Sequence, residues 1–217
     1  LTPQELAGTF QRLADQGAHN INLVNPTHFA AAVIEALRIW KPAAKIPVVY
    51  NTSGYERVET VRALRGLVDI YLPDFKYAES QMSLAYSGAE DYALVAKAAL
   101  LEMAEQTGKP VFGADGMLRS GTMVRHLILP GHTRNSLMVL EWLAENMGER
   151  ALISLMAQYV PCGKAPDYPE LNRRITQREY EKVQQRLFEL GLDGFVQERS
   201  SSKKEYIPDF NLEGVAP

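Results

Sequence analysis

One cysteine, Cys162, stands in 217 residues, so the chain forms no internal disulfide, which fits a reducing compartment. No apolar run approaches the roughly 20 residues that span a bilayer, and no signal-peptide pattern opens the sequence. A soluble, cytoplasmic protein with no membrane partner is the expectation. Positive charge is not in excess: 23 Lys and Arg against 26 Asp and Glu leave a formal net charge of −3. Nothing in that field favours nucleic acid as a partner. No Gly-x-Gly-x-x-Gly follows a strand-like run and no Gly-x-x-x-x-Gly-Lys-Ser/Thr occurs, which removes the usual support for dinucleotide and P-loop chemistry. No initiator Met precedes Leu1-Thr2-Pro3, and the sequence reads as a fragment.

What is present is an ordinary globular composition, 46% hydrophobic and 23% charged, enough for one large core. Thr2-Pro3-Gln4-Glu5 and Thr176-Gln177-Arg178-Glu179 both read as capping boxes that open helices. Between them, short β-branched and apolar runs alternate with helical stripes. The runs are residues 19–24, 46–51, 68–77, 123–129 and 151–158, with a last short one at Phe195-Val196. Strands recurring roughly every 25 to 30 residues with helices between them imply βαβ units and a parallel sheet. Asp115-Gly116 signals a small surface hairpin over 111–119. About five clear strands fall short of an eight-stranded barrel, so closed barrel, open sheet and partial barrel all remain compatible with the pattern.

The run VDIYLPDFKY at 68–77 organises the functional reading. In an extended strand Val68, Ile70, Leu72, Asp74 and Lys76 share one face, and Asp69, Tyr71, Pro73, Phe75 and Tyr77 share the other. One face is thus aliphatic and turns ionic at its C-terminal end, where parallel barrels carry their reactive groups. Other run ends are polar too: Asn25, Thr27 and His28; Asn51, Thr52 and Ser53; His132 after Pro130-Gly131; Gln158 and Tyr159. Together they suggest a polar small-molecule site at one rim. Arg125 shares a strand face with Leu127 and Leu129 and so requires an anionic partner, either a ligand carboxylate or a protein one such as Asp74.

Several of these segments carry a resemblance. NTSGY at 51–55, DFK at 74–76 and VRHLILPG at 124–131 resemble radical S-adenosylmethionine proteins of the pyruvate formate-lyase activating-enzyme type. GAHNINLVNPTH and YPELNRRIT look closer still to an uncharacterised branch of activating-enzyme homologues. The resemblance implies an α/β fold, a partial (βα)6 TIM-like barrel of parallel strands, formed by residues 1–199 with 200–217 as a polar C-terminal extension. It implies S-adenosylmethionine across the strand ends beside a [4Fe–4S] cluster, with Asp74 and Lys76 holding the methionine part. Asn51 and Thr52 fall where the family has an acidic residue and Thr. Asn25-Pro26-Thr27 replaces the family's Gly-Gly-Glu turn, which receives the cofactor's amino group. Arg125, Gln158 and Tyr159 complete the expected cofactor-binding set. Hydrogen abstraction by a 5′-deoxyadenosyl radical from a glycyl-radical enzyme or another protein substrate is the implied activity.

The family's Cys-x-x-x-Cys-x-x-Cys loop is absent here, and one thiolate cannot replace three. The cluster is therefore expected in a full-length parent and not in this chain, with the first strand and its cysteine loop lost to truncation and the fragment inactive by itself. Two other readings stand beside this one. Lys76 could act as a Schiff-base amine with Asp74 as its acid/base partner in a barrel lyase or aldolase, or the barrel could serve as a non-catalytic binding platform.

Overall fold

Thr2 and Thr176 open their helices as the capping-box pattern requires. Each threonine hydroxyl accepts the amide of the glutamate three residues on, at 3.2 Å, and each glutamate accepts the threonine amide at 2.7 Å. These pairs begin α1 (Pro3–Asp15) and α7 (Gln177–Glu189). A computed structural model describes residues 1–196. The proposed extension 200–217 lies outside the described residues.

Between the two capped helices run β1 (Ile21–Val24), α2 (Ala30–Trp40), β2 (Val48–Thr52), α3 (Val58–Ala63), β3 (Ile70–Pro73), α4 (Ser80–Ser87) and α5 (Tyr92–Thr107). They are followed by β4 (Val111–Phe112), β5 (Leu118–Leu127), α6 (Thr133–Asn146) and β6 (Ala151–Met156), and β7 (Gly194–Val196) comes after α7. The strand order is β1-β2-β3-β5-β6-β7, all parallel, with β4 antiparallel to β5. Parallel strands in chain order with helical crossovers make a curled sheet covered by helices on one side, the partial barrel. Among the described residues, β1 pairs only with β2 and β7 only with β6, so the barrel is open. No helix of the described residues is long and apolar enough to cross a membrane.

Strand parity divides the molecule. Tyr50 and Tyr71 pack with Phe10, Leu37, Val61 and Met103 in one helix-side cluster. Phe75, Val124, Ile153 and Leu155 pack with Leu100, Leu140, Leu143 and Val183 in another. The opposite parity, Val49 and Asn51, Ile70 and Leu72, Met123 and Arg125, Leu152 and Ser154, faces the concave side. The alternation expected for 68–77 holds from Ile70 onward. Val68 precedes the strand and joins the helix-side cluster instead.

The strand bounds shift by one or two residues in β1, β2 and β6, and two strands differ more from the sequence expectation. β3 stops at Pro73, and Asp74 continues only as an isolated bridge to Arg125. Beyond Pro73 the amides of Asp74 and Phe75 still reach strand carbonyls, while their carbonyls and the backbone of Lys76 turn to side chains. β5 is one strand of ten residues in which the hairpin arm and the barrel strand are continuous. Gly121 makes this possible: with φ at 144° and Pro110 Cα 2.9 Å from where a Cβ would lie, only glycine fits where pairing passes from β4 to β3.

His126 stands on the helix side of β5 with no exposure. Its Nδ1 lies 2.7 Å from Phe75 O and its Nε2 lies 2.8 Å from Ser136 Oγ. A carbonyl only accepts, so Nδ1 carries the proton and Nε2 accepts from the serine hydroxyl. Burial pushes the imidazole pKa down from 6.5 to about 4. The folded form therefore resists protonation, and its stability is full above about pH 6.5 and falls as pH drops towards 4. Urea titrations across this window should show His126→Gln losing less stability on acidification than the wild type. The difference is expected to reach about 3 kcal/mol at most; parallel curves would exclude His126 as the source.

Candidate functional site

The C-terminal end of β3 is where three neighbouring strands converge. Asp74 N donates to Thr52 O at 2.9 Å, and Phe75 N donates to Arg125 O at 2.9 Å. Because Asp74, Asn51 and Arg125 share concave parity in adjacent strands, their side chains meet. Arg125 Nη2 donates to Asn51 Oδ1 at 2.8 Å and lies 2.7 Å from Asp74 Oδ1. Lys76 Nζ is 3.4 Å from Asp74 Oδ2. Arg125 thus has a protein carboxylate as partner. The cluster holds two cations and one anion, a formal excess of one positive charge.

Hydrogen bonding in this cluster is incomplete. Arg125 Nε is buried without a partner, and Asp74 Oδ1, though close to the guanidinium, accepts no aligned hydrogen bond. Gln158, after β6 on the concave parity, likewise has a buried and unpartnered Oε1, and its Nε2 reaches only Met156 Sδ at 3.8 Å. Buried polar atoms are normally satisfied, and exceptions gather where a ligand completes the set. Lys76 is the open member, with its side chain 42% exposed against 18% for Asp74.

The backbone that carries the cluster is fixed from the helix side. The buried Tyr92 hydroxyl accepts from Lys76 N at 3.0 Å and shares its own proton between Ser53 O at 2.9 Å and Asp74 O at 3.1 Å. Burial pushes this phenol above its ordinary pKa, so it stays protonated. Asn135 Nδ2 donates to Lys76 O at 2.9 Å and its Oδ1 accepts from Ala78 N at 2.8 Å. With His126 on Phe75 O, every residue from Asp74 to Ala78 except Tyr77 has a backbone bond to a side chain of β5, α5 or α6. Gly54, at φ 79°, brings the β2 loop so close that a Cβ there would lie 2.1 Å from Asp74 O.

Not every strand-end residue points into this cluster. Thr52 is fully buried, and Thr52 and Thr27 both donate to Glu56 Oε1 at 2.5 Å. Tyr159 donates to Leu171 O at 3.0 Å, in the loop before α7. Asn25 is exposed at the end of β1 in a left-handed conformation, φ 47°, and its amide donates to Asn51 O at 2.8 Å. His132 faces Tyr86, 2.8 Å from its hydroxyl. The site thus brings together Asn51, Asp74, Lys76 and Arg125, with Gln158 on the same face. Glu56, Tyr92 and Asn135 carry no signal of these roles in the sequence: Glu56 stands two residues ahead of α3, and Tyr92 and Asn135 lie in the first turns of α5 and α6.

No protein-family model matches the chain. It is 29% identical over 184 residues to an uncharacterized protein, MJ0674, of Methanocaldococcus jannaschii, a match covering 83% of this chain and 49% of that protein. The chain therefore spans about half the length of the curated relative it matches. Among solved structures, a domain of pyruvate-formate lyase-activating enzyme from Bacteroides vulgatus aligns with TM-score 0.59 at 16% identity, over 82% of this chain and 98% of that one. Streptococcus suis SuiB bound to S-adenosylmethionine aligns with TM-score 0.62 at 12% identity, over 96% of this chain and 45% of that one; SuiB is also known with its precursor peptide SuiA bound. A radical S-adenosylmethionine methyltransferase from Sphaerobacter thermophilus gives 0.59 at 13% identity, over 91% and 57%. At these identities the likeness establishes the fold, which this chain shares with radical S-adenosylmethionine enzymes.

The residues present do not fit an iron–sulfur cluster. Cys162 is the chain's single cysteine and is exposed. Among the described residues no group of three or more His, Cys, Asp or Glu is placed to hold a metal ion.

Tyr92→Phe removes one hydroxyl that serves three backbone groups and changes little else. It should lower unfolding free energy by about 1–3 kcal/mol, measured by chemical denaturation. A loss within error would show that the loop after β3 does not depend on that hydroxyl.

Proposed function

We propose that this chain is the cofactor-holding barrel of a radical S-adenosylmethionine enzyme of the activating-enzyme type, which acts on a partner polypeptide. The observation that carries the reading is the incompletely satisfied Asp74–Lys76–Arg125 cluster at the C-terminal rim of an open parallel barrel. The methionine end of S-adenosylmethionine is a zwitterion. Arg125 and Lys76 offer donors to its carboxylate, and Asp74 offers an acceptor to its ammonium. Asn51 holds the guanidinium in place by accepting from Nη2.

A bound S-adenosylmethionine would supply the hydrogen-abstracting radical once reduced by one electron, and that electron would have to come from a centre that the described residues do not hold. This chain's residues contribute holding and orientation. Three thiolates cannot come from a single cysteine, so the chain by itself is not expected to turn over. A peptide partner is supported by SuiB having been solved with its precursor peptide, and a glycyl-radical enzyme is the finer expectation from the segments at 51–55, 74–76 and 124–131.

The Schiff-base reading is less well supported. Lys76 is partly exposed and lies beside Asp74, whereas an amine nucleophile is commonly activated by desolvation in an apolar pocket.

Isothermal titration of the chain with S-adenosylmethionine tests the proposal. Saturable binding is expected, weakened about tenfold or more by Asp74→Ala or Arg125→Met when each variant keeps its folded circular-dichroism spectrum. No saturable heat from the wild type would end the reading.

A further inference from the structure

Beneath the rim lies a carboxylate that the ligand cluster does not use. Glu56 is 1% exposed, and three hydroxyls gather on its Oε1: Thr27 and Thr52 donate at 2.5 Å and Tyr50 stands at 3.5 Å. Its Oε2 is buried with no hydrogen-bond partner. Burying a carboxylate in this way is costly and persists when the surrounding structure depends on it.

The dependence can be traced. Thr27 lies 29 residues before Glu56, in the single helical turn Pro26–Phe29 that follows β1. Among the described residues β1 has one neighbour, so the turn at its end lacks a second flanking strand. That turn is entered through Asn25 at φ 47°, in the left-handed region that side chains other than Asn and Asp seldom adopt. Thr52 ends β2, and its hydroxyl also accepts Gly54 N at 3.3 Å. Gly54 in turn lies against the carbonyl of Asp74. A continuous line of contacts therefore joins the turn after β1 to the backbone of Asp74, with Glu56 at its centre.

We propose that Glu56 is a positioning residue that ties the turn after β1 to the backbone of Asp74, and so holds in place the Asp74–Lys76–Arg125 rim that receives the amino-acid end of the ligand. This deepens the function proposed above and rests on it for the identity of the ligand. The positioning role can be tested without any ligand. One oxygen receives both threonine hydroxyls, so an amide oxygen at the same place should serve. Removing the acceptor or one donor should free the turn.

Hydrogen exchange and S-adenosylmethionine titration of Glu56→Ala, Glu56→Gln and Thr27→Val decide the matter. Glu56→Ala and Thr27→Val should speed exchange of the Asn25, Gly54 and Glu56 amides about tenfold or more, while Val124 and Ile153 in the central strands stay at the wild-type rate. Both should weaken S-adenosylmethionine binding about tenfold, and Glu56→Gln should restore both readouts to within about threefold of the wild type. Thr27→Val, which deletes one hydroxyl and keeps the side-chain volume, decides the exchange result if Glu56→Ala fails to fold. Wild-type exchange at the three rim amides in Thr27→Val, acceleration spread evenly over the central strands, or failure of Glu56→Gln to restore protection would each overturn the role. A wild-type chain that binds no S-adenosylmethionine would sink the functional reading and leave the exchange result to judge Glu56 alone.

Discussion

The carbonyl oxygen of Asp74 leaves no room for a side chain at Gly54, and most of the rim is arranged around that contact. It receives part of the Tyr92 proton and lies against the Gly54 Cα, while the amide of the same residue reaches Thr52 O. Strand β3 therefore ends by a change of partner and not by fraying: after Pro73, backbone groups that would have continued the ladder bond to Tyr92, His126 and Asn135. A short strand with a rigid exit lets the next residues present charge at a fixed place. The left-handed glycine belongs to the same device, since only glycine gives both the turn and the close approach.

Two cations facing one carboxylate make the rim electrostatically unfinished. In a partly buried setting the attraction between Arg125 and Asp74 is offset by the loss of their hydration, so the pair is weak evidence of a stabilising role. The guanidinium Nε and the Gln158 Oε1 without partners point the same way, since such defects are tolerated where they serve a site and are otherwise rare. The folding free energy comes instead from the helix side, where Leu37, Leu64, Leu100, Leu140 and Leu143 are fully buried.

Features set by local rules were legible in the sequence. Capping boxes depend on four residues, and the face shared by Ile70, Leu72 and Asp74 depends only on the period of an extended chain. The strand spacing left closed barrel, open sheet and partial barrel open, and the partial barrel came from the resemblance carried by the segments at 51–55, 74–76 and 124–131. Strand parity put Asp74 and Lys76 on one face but left Arg125's partner open between a ligand and Asp74. The choice of strand-end residues was less well founded, for a physical reason: adjacent residues in a strand face opposite ways, so Asn51 and Thr52 could not both enter one site, and Tyr159 lies in the loop beyond β6. Thr52 and Tyr159 are the members turned away. Glu56 was illegible because its partner Thr27 is distant in sequence, and a lone glutamate ahead of a helical stripe reads as solvated. The fusion of the hairpin arm with β5 was hidden because Gly121 looks like a break when it is a close crossing over Pro110.

Parity along the strands has a consequence for how such a protein can change over evolutionary time. Positions 49 and 51, 70 through 74 at even numbers, 123 and 125, and 152 through 158 at even numbers line the concave face, and the intervening positions carry the packing against helices. A lineage could rewrite the first set one residue at a time, altering charge and shape at the groove, while the second set keeps the chain folded. The boundary between what may drift and what must be retained runs along these strands with a period of two, and at Gly54, Tyr92, His126, Asn135 and Glu56 it crosses from one side to the other.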